Sequence, residues 1–246
     1  MNMNYHNKYF KSPINWDNIM KDIYLDKYNY TDNLDEIHNL LKSNLISDND
    51  KKFYDTIPIL GVNDRQSIFV KDYYNYYDNN SIINDNYIKF INEEIKPLFN
   101  ENKLVVQKTP NIRFHIPNNS NIGRRKHDPN KDIIGLHCDN EFNHPIEEYN
   151  IILSITDMFD TNTLYYEKYP NSNIEYDNYE NLKLLKNNYW IGYLNQCKHY
   201  NKINNTGKTR ISMDFRIIPY SKYKESNNLS TTSKSKFMVG DYYIIL

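Results

Sequence analysis

The stretch Gly135-Leu136-His137-Cys138-Asp139-Asn140-Glu141-Phe142 decides how the rest of the chain is read. In an extended strand, residues i and i+2 share a face, so His137 and Asp139 are expected to converge while Cys138 turns away. An imidazole and a carboxylate on one face are most of the facial triad that holds non-haem Fe(II) and leaves positions open. The remaining ligand must come from a distant histidine, and His199 is the candidate. Alone, a His-x-Asp triplet is a weak signal in a chain this rich in Asp. The order of parts strengthens it: His-x-Asp, a β-patterned segment, a lone histidine, then Arg210 on a strand.

With His137, Asp139 and His199 as metal ligands, the open positions suit a 2-oxo acid, bound through its carboxylate and keto oxygens, and O2. If that acid is 2-oxoglutarate, its far carboxylate needs a buried cation. Arg210 offers a guanidinium that pairs with a carboxylate through two parallel bonds and never loses its charge. Ser212 lies on the same strand face and adds a donor. Asn150 and Asn162 are candidates to hydrogen-bond the keto acid or the substrate. Arg113, His115 and His144 are candidate substrate-pocket residues, whereas His6, His38 and His127 are expected at the surface. Glu141, Glu147 and Glu148 are expected in a solvated loop, as is the basic run Arg124-Arg125-Lys126.

Outward from this centre, residues 101–246 read as strands: Leu104 to Val106, Ile112 to Ile116, Ile133 to Asp139, Tyr149 to Thr156, Tyr189 to Leu194 and Thr209 to Ile218. Met238 to Leu246 adds an edge strand, and the Ser-rich run 226–235 reads as a mobile loop. Residues 1–100 read as a mostly helical buttress. Leu34, Ile37, Leu40 and Leu41 have helical spacing behind the cap candidates Thr31, Asp32 and Asn33. Ile83, Tyr87, Ile91 and Ile95 recur every four residues, with Pro97 as the expected stop. Phe53 to Val62 reads as a short strand limited by Pro58, and residues 1–30 as a wrap around the core. The expected fold is mainly β (α+β): a single domain over 1–246, with a double-stranded β-helix or cupin-like jelly roll braced by N-terminal helices.

The 246 residues carry a net charge of −1 and a pI near 6.7, so nothing draws the chain toward nucleic acid or an anionic membrane. Two cysteines are too few for a disulfide scaffold, and the reading is a soluble cytoplasmic protein. Heavy use of Asn, Lys, Ile and Tyr fits an AT-rich genome such as that of a large DNA virus, in which case host cytoplasm or virion is the expected place.

Gln107 to Pro110, Arg113 to Pro117, His137 to Asp139, Glu148 to Asn150, Asn162 to Leu164 and Asn204 to Arg216 together resemble the Fe(II)/2-oxoglutarate-dependent oxygenases related to StrG-type streptomycin-biosynthesis proteins. The likeness to the phytanoyl-CoA hydroxylase-like group is more distant. Its most specific part is the spacing from His199 to Asn204, Thr206 and Arg210; Phe142 and the run Ile151-Ile152-Leu153 depart from the pattern. The resemblance implies a double-stranded β-helix, iron on His137, Asp139 and His199, and 2-oxoglutarate on Arg210. The expected activity is hydroxylation of a small polar molecule, such as a sugar, aminocyclitol or amino acid, with release of succinate and CO2. The rivals are a cupin-like metal enzyme of other chemistry and a non-catalytic β-helix binding module.

Overall fold

The computed structural model describes residues 7–60, 67–120, 134–231 and 234–246, with 56–60 described by backbone alone. The chain opens with a strand, β1 (Lys8–Lys11), and a helix, α1 (Trp16–Tyr28), before a 3-10 helix over Leu34–Lys42. Helices α2 (Asp48–Leu60), α3 (Ile68–Asn79) and α4 (Ser81–Phe90) follow. The last of these runs on through a π turn, Ile91–Ile95, and a 3-10 turn, Lys96–Phe99. Then come β2 (Leu104–Gln107), β3 (Asn111–His115), β4 (Ile134–His137), β5 (Tyr149–Ser154), β6 (Tyr165–Tyr166) and β7 (Glu180–Asn181). The chain ends with β8 (Asn188–Gly192), β9 (His199–Asn201), β10 (Arg210–Pro219) and β11 (Tyr243–Ile245).

The strands form two antiparallel sheets. The larger runs β1-β8-β5-β10-β2-β11, with β3 also paired to β10; the smaller runs β4-β9-β6-β7. Among the described residues no ladder joins the two into a closed barrel. Side chains on β10 alternate strictly. Ile211, Met213, Phe215 and Ile217 enter the main core with Trp16, Tyr24, Phe69, Tyr87 and Phe90 of the helices. Arg210, Ser212, Asp214 and Arg216 take the opposite face. Helices thus cover one face of the large sheet, and the polar face is left for chemistry.

Asparagine does much of the work of turning the chain. Of the ten described non-glycine residues with positive φ, eight are Asn, including Asn29 after α1 and Asn100 after the Lys96–Phe99 turn. Asn tolerates the left-handed region better than other side chains, which lets a chain with six glycines close so many turns.

Several expectations need correcting. Residues 8–28 are not a wrap: β1 joins the large sheet, and Trp16, Met20, Ile23 and Tyr24 of α1 are core residues. The segment read as a strand over Phe53 to Val62 is helix as far as Leu60. Ser47 starts it by accepting from Asp50 N at 3.2 Å. Pro58 lacks the N–H that would bond the carbonyl of Tyr54, and the Asn119 side chain takes that oxygen instead. Pro97 does not stop the α4 run: the π turn Ile91–Ile95 just before it bonds i to i+5, with Lys96 N on Ile91 O, and the chain continues as a 3-10 turn to Phe99. The short strands β1, β6, β7 and β9 carry too few residues to show a pattern in the sequence. No described helix is long and apolar enough to cross a membrane.

Candidate metal centre

Strands β4 and β9 pair so that His137 stands opposite His199, with ring centroids 4.3 Å apart. Strand β4 ends at His137, and Asp139 opens a 3-10 turn, Asp139–Phe142. Cys138 between them is extended, with φ −106° and ψ 151°, so His137 and Asp139 share a face as strand alternation predicts, and the turn begins only at Asp139. Two backbone bonds hold it there, from Asp139 N to Leu194 O and from Asn140 N to Asn195 O, each 3.0 Å.

Asp139 Oδ1 lies 3.5 Å from His137 Nε2 and 3.6 Å from His199 Nε2. Those gaps are too wide for a good hydrogen bond and leave room for an ion between three donors. Among the described residues this is the one group of three such side chains whose ligand atoms lie within 4.8 Å of one another. The other ring nitrogens are occupied alike: His137 Nδ1 meets the carbonyl of Gly135, and His199 Nδ1 meets that of Cys197 at 3.1 Å. A carbonyl only accepts, so each Nδ1 carries the proton and each Nε2 presents its lone pair inward, the tautomer a metal needs. Burial, together with the neighbouring His137, lowers the pKa of His199 to about 4, so its ring is neutral near pH 7.

The second carboxylate oxygen is held from the large sheet. Asn150 on β5 and Arg216 on β10 are register partners, and Asn150 Nδ2 and Arg216 Nη2 each donate to Asp139 Oδ2 at 2.8 Å. Burial alone would raise the pKa of Asp139, but the Arg216 guanidinium and the two imidazoles hold it well below the usual carboxylate range. Beyond Arg216 the charges alternate. Arg216 Nη1 bonds Asp214 Oδ2 at 2.5 Å, and Arg113 Nε bonds Asp214 Oδ1 at 3.0 Å. Against the opposing effect of burial, these two arginines bring Asp214 down to about 2.

The remaining candidates divide between two ends of the polar face. Arg210 and Ser212 are buried at the start of β10, opposite His115 and Arg113 of β3. Arg216 lies six positions after Arg210, about 20 Å along the strand. The motif from Asn204 to Thr206 builds the turn that delivers Arg210. Asn204 Nδ2 donates to His115 O and Lys208 O, and its Oδ1 accepts from Thr206. His115 is fully buried between the carbonyls of Asn162 and Asn119, at 3.2 and 2.9 Å. The Asn162 side chain is spent within its own loop, on Phe159 N and Asp157 O. Asn150 Oδ1 accepts from Asn195 N, so both ends of that amide are engaged around Asp139.

At the other end, His144 Nδ1 lies 2.9 Å from Glu148 Oε2, and its ring packs on Phe237. Glu148 is not in a solvated loop: it is fully buried and accepts from Tyr243 Oη as well. His38 is likewise not a free surface residue, since its Nδ1 sits 2.9 Å from Thr209 Oγ1 beside Arg210. The run Arg124-Arg125-Lys126, His127 and His6 lie outside the described residues. The residues to which sequence reasoning gave no part in holding the cluster are Arg216, Asp214 and Asn111, which adds a bond of 2.9 Å to Asp214 Oδ2. The alternation along β10 already placed Asp214 and Arg216 on the face of Arg210, a signal that was available.

No family model matches the chain. It is 26% identical over 172 residues to the streptomycin biosynthesis protein StrG of Streptomyces griseus, covering 68% of this chain and 72% of that one. Among solved structures it is similar to the non-heme monooxygenase ThoJ in its apo form, with 12% identity, a TM-score of 0.45, and coverage of 94% and 84%. The match to the nickel complex of ThoJ has 14% identity and a TM-score of 0.38, and covers 52% of this chain and 51% of that one. HygX from Streptomyces hygroscopicus, with nickel and 2-oxoglutarate bound, is 8% identical with a TM-score of 0.33, covering 80% of this chain and 97% of that one.

Proposed function

We propose that this chain is an Fe(II)- and 2-oxoglutarate-dependent oxygenase that hydroxylates a small polar molecule, on a fold of the double-stranded β-helix type. The observation that carries the reading is the donor set itself. His137 Nε2, His199 Nε2 and Asp139 Oδ1 face one another, and every other polar atom of these side chains is bonded elsewhere. Two imidazole nitrogens and one carboxylate oxygen suit Fe(II) and leave open positions. Ferrous iron bound there with 2-oxoglutarate supplies the oxidising power to place an oxygen atom from O2 into a C–H bond, with succinate and CO2 released.

The chain's own residues then have defined tasks. His137, Asp139 and His199 hold the ion without needing to move, because their outer bonds are already made. Arg210 and Ser212, buried on the polar face of β10, hold the far carboxylate of 2-oxoglutarate. Ile152, Leu164, Trp190 and Leu194 form an apolar cluster between the sheets that keeps water from the reacting centre. The substrate is a small molecule rather than nucleic acid or lipid, and the working place is the cytoplasm.

The test is succinate formation by protein loaded anaerobically with Fe(II) and then given 2-oxoglutarate and O2. Activity should require iron and disappear in His137→Ala. Iron-loaded protein that makes no succinate, and shows no visible charge-transfer band with 2-oxoglutarate before O2 is added, would overturn the reading.

A further inference from the structure

We infer that Arg216 and Asn150 keep the aspartate ligand to one metal-bound oxygen, and thereby set how many positions on the ion stay open. The inference rests on the metal-centre reading above. A carboxylate beside a metal can bind through one oxygen or chelate through both. In this site the two oxygens are unequal. Oδ1 faces the imidazoles, while Oδ2 accepts one bond from a guanidinium and one from an amide, both 2.8 Å long and both buried. To chelate, Oδ2 would have to leave a charge-assisted bond in a place where water cannot replace it.

Neither donor is able to follow the oxygen toward the ion. Arg216 is tied through Nη1 to Asp214, which Arg113 and Asn111 hold in turn. Asn150 is tied through Oδ1 to the backbone of Asn195. Both sit on central strands of the large sheet, directly opposite each other. Two-point binding of a keto acid together with O2 needs the very position that a chelating aspartate would fill. Arg216 and Asn150 are therefore positioning residues that act through Asp139.

The experiment uses Mn(II) alone as the probe and counts exchangeable waters on the bound ion by water-proton relaxation. Arg216→Met should retain Mn(II) with equal or tighter affinity, because a cation next to the ion is gone. Its coordinated-water signal should fall by roughly one third, the share of one open position beside a facial triad. A merely structural role would lower affinity and leave the water count alone. Should Arg216→Met fail to fold, Asn150→Ala removes the other hold without stranding a buried charge, and it should lower the count in the same direction. A wild-type water count in whichever variant folds and binds Mn(II) overturns the proposal. Wild-type protein that binds no Mn(II) removes the metal-centre reading and this inference with it. Wild-type protein that binds Mn(II) but not 2-oxoglutarate removes only the oxygenase reading, and the water count still decides.

Discussion

His137 and His199 repeat one local device across the β4–β9 ladder: each ring bonds the carbonyl two residues before it and turns Nε2 toward its partner. Because the backbone orients both rings, each imidazole is placed as a ligand before any ion arrives. His199→Ala should lower Co(II) affinity by more than about a hundredfold, beyond what loss of an outer partner costs, while the far-ultraviolet circular dichroism stays unchanged. Co(II) titration of the folded variant checks this, and wild-type affinity would remove His199 from the ligand set.

The metal-free protein should lose stability early as pH falls. An unfolded histidine titrates near about 6.5, whereas burial with Arg210 takes His115 down to about 3, and burial with His137 takes His199 to about 4. For a folded pKa below the unfolded one, the stabilising contribution is complete above the unfolded value. It is lost as pH falls toward the folded value, because the unfolded chain takes up the proton first. The window is therefore about pH 6.5 to 4 for His199 and to 3 for His115, worth about 1.4 kcal/mol per pH unit for each ring. Asp214 adds a later loss between about pH 3.9 and 2. Urea midpoints measured across pH 7 to 4 should fall steadily, and His199→Gln should flatten the slope.

Much of this architecture is legible in the residues, for identifiable reasons. The long strands β5, β8 and β10 carry enough apolar residues to display their period, and the order His137, Asp139, His199 marks the cluster that folding brings together. What escapes is set by tertiary contact. The strands of two to four residues at β1, β6, β7 and β9 have no period to read. Glu148 resembles a loop acid until Tyr243, 95 residues away, closes over it. Arg216 was visible on the right face, but only folding shows that it bonds Asp139 and not a ligand.

One carbonyl of helix α2 finds its donor in another part of the chain. Asn119 supplies the donor that Pro58 cannot give to Tyr54 O. Asn119→Ala should leave that buried carbonyl unsatisfied and cost about 1–3 kcal/mol. Chemical denaturation of the variant measures this, and a shift within error of zero would mean that water replaces the amide.

Gly192 pairs with Asn150 in the β8–β5 ladder, and the Trp190 indole lies across it. A Cβ at this position would overlap the six-membered ring of the indole. Trp190 is itself fully buried against Tyr166, so it has little room to yield. Gly192→Ala should therefore destabilise the protein by about 1–3 kcal/mol. A variant as stable as wild type in chemical denaturation would show that Trp190 has another rotamer available.

Arg210 and Arg216 share a face of β10 but differ in their partners, and this separates their roles. Arg216 spends Nη1 on Asp214 and Nη2 on Asp139, so it is committed to the metal ligand. Arg210 stands at the far end of the strand, buried beside His115, where its charge helps keep that ring neutral. The strand distance of about 20 Å between Arg210 and Arg216 exceeds the length of 2-oxoglutarate, so Arg210 meets its far carboxylate only by extending its side chain back along this face toward the ion. Breaking a buried charge pair by removing one partner costs about 3–5 kcal/mol, so Arg210→Met should weaken 2-oxoglutarate binding by a hundredfold or more, to about that figure. Co(II) affinity should stay within about twofold of wild type, because nothing that orients His137, Asp139 or His199 has been touched. Calorimetric titration of 2-oxoglutarate into Co(II)-loaded protein separates the two quantities. Unchanged 2-oxoglutarate affinity would take the clamp away from Arg210 and give it to Arg113, the other arginine on this face whose bond does not reach Asp139.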